Sequence, residues 1–243
     1  MIWLPLGFFV TALLYAAVGF GGGSTYSALL TLVGFDYRLL PLVSLACNVV
    51  VVMGSTVRFA RSRVMPWRKA LLVSLAAAPL AFLGGLTPIR QATFLFVLGL
   101  SLVAAGLALL LPRSPEVESK PTRLAGWMAV IAGPLGYLAG LVGIGGGIFL
   151  APLLHLTRWA RAREIAATTS LFILINSLSG LAGQLAKNGI DRFGEALAGA
   201  LPLLIAVVLG GQIGSLLAIR FLPERVIRWL TAALTVWAGS RLL

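Results

Sequence analysis

Ten apolar runs, separated only by short charged or Pro/Gly-rich connections, occupy almost the whole chain. They lie at roughly 3–19, 24–34, 39–58, 70–87 and 90–111, then at roughly 123–142, 147–157, 164–186, 196–219 and 223–243. Eight are about 17–24 residues long, and at about 1.5 Å per residue each can cross a hydrocarbon core of about 30 Å. The other two, about 11 residues each, reach only half way. Composition points the same way: 59% of residues are hydrophobic and 11% charged, whereas a water-soluble domain needs about 25% charged residues to cover its surface. The sequence therefore predicts an all-α polytopic membrane protein with about eight long and two short helices. The same figures exclude disordered, collagen-like and disulfide-stapled classes.

A net charge of +12 would suggest nucleic acid in a soluble protein. Here the cations sit in short loops between apolar runs, where cytoplasmic loops carry that excess. With one cysteine, Cys47, and one histidine, His155, zinc and haem chemistry have almost no ligands. No metal and no cofactor is expected. The first run lacks a basic leader and has a counterpart in mid-chain, so it reads as a helix and not as a cleaved signal.

Four landmarks recur in the same order. Gly19-Phe20-Gly21-Gly22-Gly23 returns as Gly143-Ile144-Gly145-Gly146-Gly147, Asn48 as Asn176, Gly84-Gly85 as Gly210-Gly211, and Pro88-Ile89-Arg90 as Pro223-Glu224-Arg225. Duplication follows: a first transmembrane repeat over 1–111, a charged, proline-containing linker at 112–122, and a second repeat over 123–243. Lys and Arg set the orientation. If each glycine run is only a kink, they divide 11 inside and 8 outside. If each turns the chain back, the inside receives Arg58, Arg61, Arg63, Arg68, Lys69, Arg113, Lys120, Arg123, Arg158, Arg161, Arg163, Arg220, Arg225 and Arg228. Only Arg38, Arg90, Lys187, Arg192 and Arg241 stay outside, a division of 14 to 5 that fits the positive-inside bias. Each half then crosses an odd number of times. The expectation is two inverted repeats, each a Gly-rich broken hairpin plus three transmembrane helices.

Irregular backbone inside a bilayer is tolerated only where protein buries it or where it lines a cavity. Each glycine run leads at once into a short helix, the first opening with Ser24-Thr25, good N-cap residues. A half-helix starting at the midplane aims free N–H groups and a partial positive charge at an anion. Two such starts, entering from opposite faces, would share one central site, a pattern of secondary transporters. Gly21, Gly22, Gly23, Ser24, Thr25, Gly145, Gly146 and Gly147 are its candidate backbone. The paired amides Asn48 and Asn176 are candidate side-chain ligands, followed by Ser44, Cys47, Thr169 and Ser170. A packing role is the competing reading for the glycines and for the amides.

The Gly-Phe-Gly-Gly-Gly and Gly-Ile-Gly-Gly-Gly runs, each closing a long apolar helix, resemble the TauE/SafE sulfite exporter family, also called the TSUP family of anion transporters. Ala-Pro-Leu-Leu at 151–154 and Leu222-Pro223-Glu224-Arg225 fit its second repeat. One departure is Ala28 where the second half has Pro152, which predicts short helices of different shape. The resemblance covers essentially the whole chain. It implies a multi-pass protein of the cell inner membrane moving sulfite, sulfonates or related organic anions.

No charged residue falls deep within a span, which argues against proton coupling through a buried carboxylate. A membrane-embedded enzyme is disfavoured because the spans offer one thiol, hydroxyls and a lone histidine, with no Ser-His-Asp arrangement. An anion channel shares every residue type with a carrier and stays open at this point. The expected partners are a small anionic substrate and the bilayer, with no nucleic acid.

Overall fold

The computed structural model describes residues 3–18, 21–110, 127–217 and 224–243. Among them are eleven helices: α1 Trp3–Val18, α2 Gly23–Leu32, α3 Leu40–Arg61, α4 Trp67–Leu86, α5 Gln91–Leu110, α6 Met128–Val142, α7 Gly147–Leu156, α8 Ala162–Asn188, α9 Ile190–Gly199, α10 Leu201–Leu217 and α11 Glu224–Ser240. The linker expected at 112–122, and Gly19 and Phe20 of the first glycine run, lie outside the described residues. Within them all regular structure is helical, as the apolar runs require, since only intrahelical bonding satisfies an isolated segment's backbone in lipid.

The ninth run departs from expectation. In place of one helix over 196–219, α9 and α10 meet at a 65° bend. Leu201-Pro202 opens α10, the place in a helix where proline's missing N–H costs nothing, while α9 is amphipathic, with Ile190, Phe193 and Leu197 along one side. Four helices are long and apolar enough to cross a membrane alone, α3, α4, α5 and α8, and five if α9 and α10 count as one span. By that measure α1, α6 and α7 are shorter, consistent with α1 and α6 each ending at a glycine run. The chain is a multi-pass membrane protein.

Glycine contacts give the helix directions. Ala77 of α4 meets Gly136 of α6, and Gly84 meets Tyr137 and Leu141, so α4 and α6 run parallel. Ala81 meets Gly180 and Gly85 meets Gln184, so α8 runs the same way. In the other group α10 lies parallel to α1, Gly210 against Phe9 and Gly214 against Leu13, and Gly211 approaches Val51 of α3. The groups face each other through α3 and α8, which run in opposite directions: Leu45 lies near Gly180, while Ser55 and Thr56 hydrogen-bond Ser170 at 2.8 and 2.9 Å. α5 and α11 are antiparallel too, Gly99 against Gly239 and Gly106 against Ala232.

At Gly84, Gly85, Gly136, Gly210 and Gly214 a missing side chain lets backbone approach backbone, the contact that drives helix association where lipid is as apolar as leucine. The α3–α4 and α7–α8 connections share one face, where the Lys69 ammonium lies 5.5 Å from the Trp159 ring centroid. On the opposite face the Lys187 ammonium donates to the Thr87 carbonyl at 3.3 Å.

Candidate functional site

Each short helix leads from its glycine run back toward a face of the protein and is largely buried along the way. Along α2, the Thr25 hydroxyl lies 3.0 Å from the Tyr15 hydroxyl, and Leu29 lies beside Gly7, so α2 returns antiparallel to α1. Both short helices are 10 residues long, and Pro152 sits inside α7 without shortening it, so the substitution of Ala28 by proline changes no length. The two differ at their starts. Gly146, N-cap of α7, has φ +74°, and Gly145 has φ +81°, conformations that a Cβ strains. Gly22, N-cap of α2, has φ −84° and needs no such freedom. Its constraint is space: a Cβ there would lie 2.5 Å from the Tyr26 ring. Neither helix start has a side-chain cap bond.

Both runs converge on Asn48. Its Nδ2 donates to the Ile144 carbonyl at 3.2 Å, tying α3 to the second run. A Cβ on Gly21 would meet its Oδ1 at 2.7 Å, and one on Gly145 its Nδ2 at 2.6 Å. Gly23 abuts the same amide and the Ile144 carbonyl. From the other side comes a stripe of α8 at four-residue spacing: Thr169 and Ile173 lie against Gly147, Ile173 and Ser177 against Gly145. Asn48 and Ile173 thus touch glycines of both halves.

The polar atoms here are buried and incompletely paired. Ser24 Oγ, Tyr26 OH, Asn48 Oδ1, Thr169 Oγ1 and Ser177 Oγ have no hydrogen-bond partner, and each residue is at most 2% exposed. Leaving such atoms unpaired costs about 1–3 kcal/mol each; Ser74 Oγ, Thr168 Oγ1 and Asn176 Oδ1 are buried and unpaired as well, so the five near the helix starts belong to a wider set. Ser24, Thr169 and Ser177 each carry a rotatable O–H donor.

Other expected residues are engaged elsewhere. Ser44 donates to the Gly23 carbonyl at 3.0 Å and accepts from Ser27 at 3.1 Å, bracing the first run. Cys47 is fully buried among apolar side chains. Ser170 joins Ser55 and Thr56 in a hydroxyl chain holding α3 to α8. Asn176 faces α6: its Nδ2 donates to the Phe172 carbonyl at 2.8 Å, and its Oδ1 lies 3.0 Å from where a Gly136 Cβ would be. The two asparagines matched along the sequence therefore make different contacts. Ile173 and Tyr26 are additional residues beside the runs, and Ser177, one of the polar residues that the sequence places in the eighth run, joins them. The i, i+4 spacing of Thr169, Ile173 and Ser177 marks their common face. Tyr26 is identified only by its packing, stacked on Phe8 at 4.7 Å.

Comparison with known proteins agrees with this architecture. The chain is 35% identical over 248 residues to the probable membrane transporter protein y4hK of Sinorhizobium fredii, covering 100% of this chain and 98% of that one. It is 25% identical over 231 residues to the probable membrane transporter protein MJ0441 of Methanocaldococcus jannaschii, covering 84% and 83%. No solved structure gives a significant match. The family model for the sulfite exporter TauE/SafE matches residues 3–242. With a glycine-broken helix pair in each half and a match along nearly its whole length, this chain belongs to the sulfite exporter TauE/SafE family of membrane transporters.

Proposed function

We propose that the chain is an inner-membrane carrier of small, singly charged sulfur oxyanions, sulfite in its protonated form or an organosulfonate. The substrate binds between the two glycine runs. The observation that carries this reading is the convergence of both runs on Asn48, beside the unpaired Ser24, Thr169 and Ser177 hydroxyls. These donors and the starts of α2 and α7 offer partial positive charge without a full cation. Stripping water from a dianion costs far more than such dipoles return, so sulfonate or hydrogen sulfite is preferred over sulfate.

Inversion of the two halves is part of the proposal. Matched by order, α3 pairs with α8 and α5 with α11, and both pairs are antiparallel; parallel repeats would orient matched helices alike. The shared face of the α3–α4 and α7–α8 connections, with Arg61, Arg63, Arg158 and Arg161, is taken as cytoplasmic. Alternating access then rocks one helix group against the other around the glycine runs.

The test is counterflow in proteoliposomes. Labelled ethanesulfonate or sulfite should accumulate transiently against unlabelled substrate and saturate with concentration. Flux that is linear and shows no counterflow would identify a channel, and absence of anion flux would remove the reading.

A further inference from the structure

The glycine runs offer no full charge to attract an anion, yet cations gather nearby. On the face away from the α3–α4 connection, the 33–39 loop, the start of α5 and the α8–α9 junction enclose a cavity of about 280 Å³. Its lining includes Arg38, Lys187, Arg192 and Asn188, with Pro41 and Leu141 among the apolar residues. No carboxylate lines it. Among the described residues none of the three cations is in an ion pair; Lys187 is steadied by the Thr87 carbonyl and Arg38 by the Tyr37 hydroxyl, to which its Nε donates at 3.1 Å. Three like charges around one cavity repel one another; the neighbouring Asp36 carboxylate, which accepts from the Arg38 backbone N–H at 3.0 Å, offsets part of that charge, and a bound anion would offset more. The cavity also borders the glycine runs, because Pro41 abuts Gly143, where a Cβ would lie 2.6 Å from the proline Cα.

We infer that this cavity is a second, outer binding site for the sulfonate or sulfite oxyanion, one step from the glycine runs. The inference rests on the transport reading above and divides its labour. The vestibule recognises charge while the anion keeps part of its water, and the glycine runs then select by how readily the remaining water leaves. Concave cationic walls of low dielectric raise the local anion concentration about tenfold or more, an effect that salt screens. An anionic lipid headgroup shares this chemistry, and the experiment separates the two sources.

Asn188→Cys, in a Cys47→Ala background, places a thiol on the cavity wall. The protein is reconstituted in neutral phosphatidylcholine and titrated with anionic and cationic methanethiosulfonates of similar size, rates being normalised to a free thiol. The anionic reagent should react about tenfold faster, ethanesulfonate should slow it, and Arg38→Gln with Arg192→Gln should bring the ratio close to one. In flux assays at low salt the same double variant should raise the KM for ethanesulfonate about tenfold. Arg241→Gln, a cation outside the cavity lining, should change neither readout. A flat ratio in a protein that still shows saturable flux overturns the vestibule alone. A charge-selective, ethanesulfonate-protected thiol in a protein without anion flux overturns the transport reading and keeps the site. Protection by added phosphatidylglycerol but not by ethanesulfonate assigns the cavity to lipid and overturns the inference.

Discussion

Replacing Asn48 and Asn176 in turn with leucine separates two residues that the sequence treats as equivalents. Both are fully buried, and leucine matches asparagine in branching but is bulkier, so each change carries a steric cost and the difference between the two variants lies mainly in hydrogen bonds. Asn48 crosses between elements, donating from α3 to the Ile144 carbonyl in the second glycine run. Its loss leaves that buried carbonyl without this donor, at about 1–3 kcal/mol. Asn176 donates four residues back along its own helix to Phe172, whose carbonyl also accepts the helical N–H. Its loss strands nothing and should cost below about 1 kcal/mol. At about 2–4 °C per kcal/mol for a chain of this size, Asn48→Leu should lower the thermal midpoint of the detergent-solubilised protein by about 2–12 °C. Asn176→Leu should stay within about 4 °C of the parent and lose less than Asn48→Leu. Ethanesulfonate should raise the midpoint of the parent and of Asn176→Leu, but not that of Asn48→Leu. Equal destabilisation by both changes, or none by Asn48→Leu, would refute the assignment of the amide as the tie between the glycine runs.

Three further outcomes are expected. Gly146→Val should abolish flux with membrane insertion intact, since φ +74° strains any Cβ; Gly22→Val should do the same by collision with the Tyr26 ring, and Gly22→Val with Tyr26→Ala should recover part of the loss, measured as ethanesulfonate uptake per inserted protein. Single cysteines at Arg63 and Arg158 should react with an impermeant maleimide from the cytoplasmic face and one at Arg38 from the other, in a Cys47→Ala background; reaction of Arg63→Cys and Arg158→Cys from opposite faces rules out inversion. In competition at fixed ionic strength, sulfate should inhibit ethanesulfonate uptake at least about tenfold less well than hydrogen sulfite, a margin of about 1.4 kcal/mol, and tight sulfate inhibition would mean that a full cation reaches the inner site.

Much of the fold was legible because a bilayer leaves few choices. Apolar length located the long helices, and the glycine runs located both short ones to within a residue or two. The break between α9 and α10 was missed for a physical reason. Pro202 opens α10, but Pro79, Pro134 and Pro152 sit inside α4, α6 and α7 without dividing them, so proline alone does not mark a break. At the site, the sequence supplied the glycines, Ser24, Asn48 and Thr169, but not the side-chain directions that engage Thr25 and Ser44 elsewhere and turn Asn176 toward α6. Directions depend on which helix arrives as neighbour. For α8 those neighbours are chiefly α3 and α4 from the first half and α6 and α7 from the second.

The packing of α4 has a consequence for synthesis. Gly84 and Gly85 lie against α6 and α8, both encoded downstream, and α1 likewise waits for Gly210 and Gly214 of α10. A ribosome releasing this chain therefore delivers helices whose partners do not yet exist. The glycine face of α4, and the face of α1 that receives the α10 glycines, must be covered meanwhile by lipid or by provisional neighbours. Assembly cannot proceed half by half, because each half completes its packing with a helix of the other. The packing is complete only when α10 and α11 have arrived, and a chain stopped after α5 has made a fourth helix whose partners were never translated.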